Sequence, residues 1–147
     1  GHVKHSGTFN GNPLTMVAGI ACLKEMTPSV VDQLNKLGNE LRKGLNKVFE
    51  NLGIKGDTTG YGSLSCIHFN KEEIFDYRSV AKDNLMVMAL LHLELLERGI
   101  NVPARGGELA ISSPMKEKEI NVFIAAVEDS LFQIKPFIEE TTPELLL

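Results

Sequence analysis

A long amphipathic stretch between Thr27 and Leu52 constrains the fold most. Its apolar residues recur at steps of three and four and form one stripe: Val30, Leu34, Leu37, Leu41, Leu45, Val48 and Leu52. Thr27-Pro28 is a typical helix start, and Gly53 suits the residue just beyond a helix end. Because such a stripe must be covered, the pattern predicts a long helix lying on a core.

The rest of the chain alternates short strand patterns with helical ones. We expect strands at 54–59 and 63–69, joined near residues 60–62, and at 100–103 and 108–111, joined by the turn 104–107. Helices are expected from Ser79 to Arg98 and from Ser113-Pro114 to a break at Pro136. This order predicts an α+β fold, a small and mainly antiparallel sheet with helices packed on one face.

Composition excludes several functional classes. At 147 residues with a formal net charge of −4, the chain has the size of one domain and no basic face for nucleic acid. No apolar run is long enough to span a membrane, so we expect no membrane partner; a cytoplasmic location is expected because the two cysteines are expected to be reduced. The four histidines lack metal-ligand spacing. Cys22 and Cys66 are expected to be buried reduced thiols, with a structural disulfide as the minor alternative.

The run from His5 to Pro13 contains two glycines, two hydroxyls and two asparagines directly before an apolar helix. Pro13 suits the first turn of that helix, and Asn12 can cap it. Free amides and a hydroxyl at a helix start also suit a phosphate, so capping and phosphate binding are both open from the residues. The helix that follows, to about Met26, is apolar nearly all round. We expect it to be buried against a large surface absent from this chain.

The run HSGTFNGNPLTMVAGIACL resembles the segment that opens the C-terminal part of class III pyridoxal-phosphate aminotransferases. LLERGINVP and residues 112–131 agree with the same family. Within it, the run is most similar to the glutamate-1-semialdehyde 2,1-aminomutases. The resemblance implies that residues 1–26 are a remnant of the cofactor-binding large domain and 27–147 the C-terminal small domain of a fold-type I enzyme. It further implies a homodimer in which Thr8, with Gly7, contacts the phosphate of the pyridoxal 5'-phosphate held by the neighbouring subunit.

The same resemblance implies a reaction on a small amino acid or semialdehyde, specifically glutamate-1-semialdehyde to 5-aminolevulinate in porphyrin biosynthesis. The family's Schiff-base lysine and pyridine-nitrogen aspartate lie upstream of residue 1, and Lys4 is too close to Thr8 to match that lysine. We therefore expect no catalytic residue here and an inactive fragment.

Two alternatives stay open. One is another class III aminotransferase, because residues 102–108 depart from the run usual in the mutase branch. The other is a non-catalytic dimerisation or interaction domain. Arg105 could reach a substrate carboxylate, since a guanidinium forms paired bonds to one, or be a solvent-exposed turn residue.

Overall fold

A computed structural model describes residues 6–103 and 107–147. The elements in chain order are helix α1 (Pro13–Glu25), helix α2 (Pro28–Leu52), strands β1 (Gly56–Tyr61) and β2 (Leu64–Phe69), helices α3 (Tyr77–Val80) and α4 (Leu85–Glu97), strand β3 (Glu108–Ala110), helix α5 (Glu117–Thr141) and a 3-10 turn (Pro143–Leu145). The chain divides into two compact units, residues 1–33 and 34–147. The predicted boundary after residue 26, which assigns the two parts to a large and a small domain, stays a prediction.

Helix α1 exposes its apolar side chains. None of its residues is buried, and Leu14, Val17 and Leu23 are 81%, 67% and 75% exposed. The predicted helix is present, but within this chain it is not buried. A covering surface from outside the chain remains an expectation.

The apolar stripe predicted on α2 forms one side of the core. Leu34, Leu37, Leu41, Leu45 and Val48 are all buried. The period also brings Phe49 inward, where its ring meets that of Phe69 on β2 edge to face at a centroid distance of 5.8 Å. Aromatic pairs in this geometry add to the stabilisation from burial alone.

The sheet has three antiparallel strands in the order β1-β2-β3, as the fold class requires. Tyr61 pairs with Leu64, so the hairpin turn lies at Gly62-Ser63, about two residues later than predicted. The turn is fixed to α2 by Arg42, whose Nη1 donates to the carbonyls of Gly62 (3.1 Å) and Leu64 (2.9 Å).

Helix α2 approaches this turn closely at Gly38. A Cβ atom at Gly38 would lie 1.9 Å from the Gly62 carbonyl oxygen, which is far inside contact distance. The absence of a side chain at this position therefore allows the helix and the turn to touch.

Three predicted elements need correction. Two helices, α3 and α4, stand in place of the single helix expected over 79–98. Asp76 caps α3, and Asn84 starts α4 by accepting from the amides of Met86 and Val87. Residues 100–103 form no strand. The last helix begins at Glu117 instead of Ser113, with Glu119 accepting from the Lys116 amide.

Pro136 does not end α5, which was wrongly expected to break there. The helix continues to Thr141 with Pro136 inside it. Proline removes one amide donor from a helix interior, yet the helix stays packed here, with Ile134 and Ile138 on either side of Pro136 both buried.

The C-terminal residues return to the start of the sheet. Leu145 is buried, its carbonyl accepts from the Lys55 amide at 2.6 Å, and the Leu147 amide donates to Gly53 at 2.9 Å. Helices α4 and α5 also pack against each other, and this contact completes the core.

Candidate cofactor and substrate site

Residues 6–12 form two successive tight turns ahead of α1. The Asn10 amide donates to the Gly7 carbonyl at 3.0 Å, and the Asn12 amide donates to the Phe9 carbonyl at 3.1 Å. Gly7 and Thr8 lie on the first turn and are exposed. The loop therefore presents the Thr8 side chain at its surface.

Asn12 caps α1, as the sequence predicts. Its Oδ1 accepts from the amides of Leu14 at 2.9 Å and Thr15 at 3.3 Å, with Pro13 in the first turn. Because the Asn12 side chain already occupies these two amides, an anion bound here would depend on the preceding turns and not on the helix start.

The donors left for an anion are the Thr8 hydroxyl and the free amides of the loop. The hydroxyl makes no hydrogen bond to any residue in 6–103 or 107–147. No carboxylate lies between Ser6 and Leu23, so nothing on this loop would repel a phosphate by charge. The donor set fits a phosphate group. The roles of Gly7 and Thr8 stay predictions.

Arg105 lies outside the described residues, but Val102 and Gly107, described residues on either side of 104–106, are fixed in the second unit. On one side Val102 is buried. On the other, the Gly107 carbonyl accepts from the Ile67 amide at 3.1 Å. A Cβ at Gly107 would lie 2.5 Å from the Ile67 carbonyl oxygen, and its φ of +54° is one that side chains disfavour. Only glycine suits this junction with β2.

An apolar cavity of about 500 Å³ opens beside residues 100–103. It lies between residues 100–103, strand β3 and the first turns of α5, with Leu41 of α2, Ile120 and Phe123 among its lining residues. Sequence reasoning missed it, because the two flanking stretches were expected to pair as strands. Their failure to pair leaves the space open.

A buried polar network links the sheet to the loop before α4. His68 is only 3% exposed, its Nδ1 bonds Asp83 Oδ2 at 2.6 Å, and its Nε2 bonds the Thr59 hydroxyl at 2.8 Å. Asn70 donates to the other Asp83 oxygen at 3.0 Å. Every ring nitrogen and carboxylate oxygen has a partner. This complete set of hydrogen bonds is typical of a buried histidine with a structural role.

The two cysteines form no disulfide with each other, and the predicted burial is met only in part, because Cys22 on α1 is exposed and Cys66 is half-buried. Burial raises the pKa of the Cys66 thiol to about 11, with the negative charges of Asp83 and Glu108 adding to the effect. Within the described ranges no three histidine, cysteine or acidic residues gather as a metal site. No single helix there could cross a membrane by length and apolarity; only the bent pair α1 and α2, taken together, passes that test.

No family model matches the chain, but comparison with known proteins finds relatives that are all named as aminomutases or aminotransferases. It is 32% identical over 138 residues to the glutamate-1-semialdehyde 2,1-aminomutase of Alkaliphilus oremlandii, covering 92% of this chain and 31% of that protein. An uncharacterized aminotransferase of Schizosaccharomyces pombe is 37% identical over 125 residues, 84% of this chain and 28% of that protein. Among solved structures, a β-phenylalanine aminotransferase from Variovorax paradoxus superimposes with a TM-score of 0.81 at 31% identity, over 91% of this chain and 31% of that one.

The chain belongs with the class III pyridoxal-phosphate aminotransferases. It corresponds to a C-terminal part and spans about a third of the length of the relatives it matches. A transaminase solved with pyridoxal phosphate bound is 33% identical with a TM-score of 0.74, over 90% of this chain and 30% of that one. The predicted family and fold are confirmed.

For a class III aminotransferase fragment, the described structure places the two predicted binding elements in different units. The Gly7-Thr8 loop belongs to residues 1–33, and the stretch that carries Arg105 belongs to residues 34–147. The structure therefore describes each element within its own unit.

Proposed function

We propose that the whole protein containing this chain is a pyridoxal-phosphate enzyme of amino-group transfer, with the cytoplasm as its compartment because its two cysteines form no disulfide with each other. One observation carries the proposal: the Gly7–Pro13 run folds into a capped loop whose threonine hydroxyl has no partner among the described residues, within a chain related to such enzymes over most of its length. When bound, the cofactor supplies an electron sink for bonds at the amino-bearing carbon.

The specific reaction we propose is isomerisation of glutamate-1-semialdehyde to 5-aminolevulinate, supported by the name carried by relatives such as that of Alkaliphilus oremlandii. Transamination between an amino acid and a keto compound is the second candidate. It is supported by structural relatives, since the mutase of Pseudomonas aeruginosa is 22% identical and shows the fold alone, whereas the β-phenylalanine aminotransferase is 31% identical.

Two contributions of this chain follow from the proposal. The Thr8 hydroxyl and the Gly7-Thr8 amides hold the cofactor phosphate of the neighbouring subunit, which requires a homodimer. Arg105 binds the substrate carboxylate. The exposed apolar surface of α1 supports the dimer, because a helix apolar on all sides is normally covered.

The test uses the full-length protein, purified with pyridoxal phosphate. Incubation with glutamate-1-semialdehyde alone should yield 5-aminolevulinate, whereas a transaminase needs an added keto acceptor for turnover. Product without an acceptor supports the mutase; turnover only with an acceptor supports the second candidate. If the cofactor-loaded protein shows no turnover with or without an acceptor, both proposed reactions are contradicted. The non-catalytic interaction domain is then the hypothesis that stands.

We also propose that residues 1–147 alone are inactive, because the Schiff-base lysine of the family has no counterpart in them. Pyridoxal phosphate and borohydride added to this chain should label surface lysines at random. A stoichiometric adduct on one lysine would contradict the proposal.

A further inference from the structure

The two faces of strand β2 differ in what covers them. Ser65, Ile67 and Phe69 alternate along one face, and all three are buried. Leu64 lies on the opposite face, because successive side chains of a strand point to opposite sides of the sheet, and it is 61% exposed. The described residues therefore cover one face of β2 and leave the other face open at Leu64.

Leu64 belongs to a row of apolar residues that crosses all three strands. It pairs with Tyr61 on β1 and with Ala110 on β3, and residues paired in this way present their side chains on the same face. Tyr61 is 91% exposed, and Ala110 is exposed as well. Single apolar residues are common on protein surfaces, but the outer positions of a solvated antiparallel sheet are normally polar. Tyr61, Leu64 and Ala110, the apolar row, therefore have the pattern of a contact surface.

The charges beside the apolar row argue against a second copy of this chain as its cover. Further along the same face, Glu108 pairs with Cys66 and Asp57 pairs with His68. Glu108 is exposed and makes no hydrogen bond or ion pair with the part of the chain that the structure describes. None of the three strands contains a lysine or an arginine. Two copies stacked through this face would bring acidic groups together without basic strand residues to offset them.

The rest of the full-length protein offers a larger cover. This chain spans about a third of the length of its relatives, and it corresponds to a C-terminal part of them. We infer that the apolar row is an interface with the part of the full-length protein that precedes residue 1, which packs apolar side chains on Tyr61 and Leu64. This interface is separate from the proposed reaction, and its test reads burial and stability instead of turnover.

Hydroxyl-radical footprinting tests the interface without any substitution. Residues 1–147 and the full-length protein receive the same radical dose, and oxidation of each side chain is measured by mass spectrometry. Tyr77 and Leu93, which are 84% and 56% exposed, are references of the same residue types as Tyr61 and Leu64. Because a packed interface excludes water, oxidation of Tyr61 and Leu64 should be about fivefold slower, or more, in the full-length protein. Oxidation of the two references should stay within about twofold.

Three results would overturn the inference. The first is oxidation of Tyr61 and Leu64 at the same rate in both proteins. The second is an equal fall at Tyr77 and Leu93, since the protection would then not belong to this face. The third is protection of Tyr61 and Leu64 in residues 1–147 at high concentration but not at low concentration, which would assign the apolar row to a second copy.

A substitution on the apolar row adds a test of packing. Leu64→Thr keeps a residue that favours strands and removes most of the apolar surface, so the Tm of residues 1–147 should change by no more than about 2 °C. In the full-length protein the same change should lower the Tm by about 3–10 °C, because there it removes a buried leucine. Leu93→Gln on the exposed side of α4 is the control and should leave both Tm values within about 2 °C. A full-length Leu64→Thr variant as stable as its parent would contradict the interface.

Discussion

The contact of α2 with the β1–β2 turn gives a prediction about two helix-interior glycines. Alanine in place of glycine normally stabilises a helix by about 1 kcal/mol. At Gly38 the added Cβ would lie 1.9 Å from a backbone oxygen of Gly62, so the helix and the turn must separate by about 1.5 Å to reach normal contact. The backbone of the turn cannot rotate out of the way as a side chain can.

That separation also strains the bonds that hold the turn. Arg42 Nη1 donates to the Gly62 carbonyl and to Ser65 Oγ at 3.1 Å and 3.0 Å. Overpacking costs about 1–3 kcal/mol, and a bond from a charged donor contributes about 1.5–3 kcal/mol. Setting these costs against the helix gain, we expect Gly38→Ala to lower the free energy of unfolding by about 2–4 kcal/mol.

Gly44→Ala is the matched control on the same helix. Its Cβ would lie 2.3 Å from Cδ1 of Ile124, the end of a flexible side chain that can change rotamer. We expect a change within about 1 kcal/mol of zero, of either sign. Urea unfolding followed by far-ultraviolet circular dichroism measures both variants. Equal stability of the two variants, or a stabilising Gly38→Ala, would refute the argument that backbone contact decides the effect.

Three further predictions concern the proposed site and the thiols. In the full-length enzyme, Thr8→Val should weaken pyridoxal-phosphate affinity about ten- to a hundredfold by removing a donor to a charged group, whereas Asn12→Ala should cost about 1 kcal/mol of stability with less effect on the cofactor; equal cofactor affinity in Thr8→Val would reduce Thr8 to a turn residue. Because the pKa of Cys66 is raised to about 11, only about one thiol in a thousand is ionised at pH 8. Iodoacetamide should therefore label exposed Cys22 first and reach Cys66 only as the pH approaches 11, and comparable rates at pH 8 would contradict this. Residues 1–147 should self-associate through α1, and a strictly monomeric species in sedimentation at high concentration would count against it.

Periodicity was sufficient for the elements that bury one face. The stripe of α2 and the alternation around Ile67 each encode burial in consecutive turns or residues, so the core could be predicted from them. The cap at Asn12 was predictable for a similar reason, since its signal lies within three residues of the helix it starts.

The errors occurred where a long-range contact decides the local structure. Between α3 and α4, beside the local caps at Asp76 and Asn84, Asp83 contacts His68, fifteen residues away along the chain. The missing strand at 100–103 depends on Val102 giving its carbonyl to an imidazole on α4 instead of to a neighbouring strand. Neither partner is visible in a local pattern. Likewise, Thr8 was singled out by family resemblance and Arg105 by the chemistry of its guanidinium group, and neither by spacing.

The return of the C-terminal residues to the start of the sheet has a kinetic consequence. The pairing of Ile54 with Leu146, and of Gly53 with Leu147, closes a loop of more than ninety residues. Such contacts form late, because the entropy of closing a long loop must be overcome before they can contribute. During synthesis, α2 and the β1–β2 hairpin leave the ribosome well before Leu145. Until residues 145–147 follow, one side of Ile54 has no packing partner. The packing of residues 145–147 is therefore the step that excludes water from this part of the core of the second unit. Until it occurs, the uncovered side of Ile54 can bind a chaperone or another nascent chain.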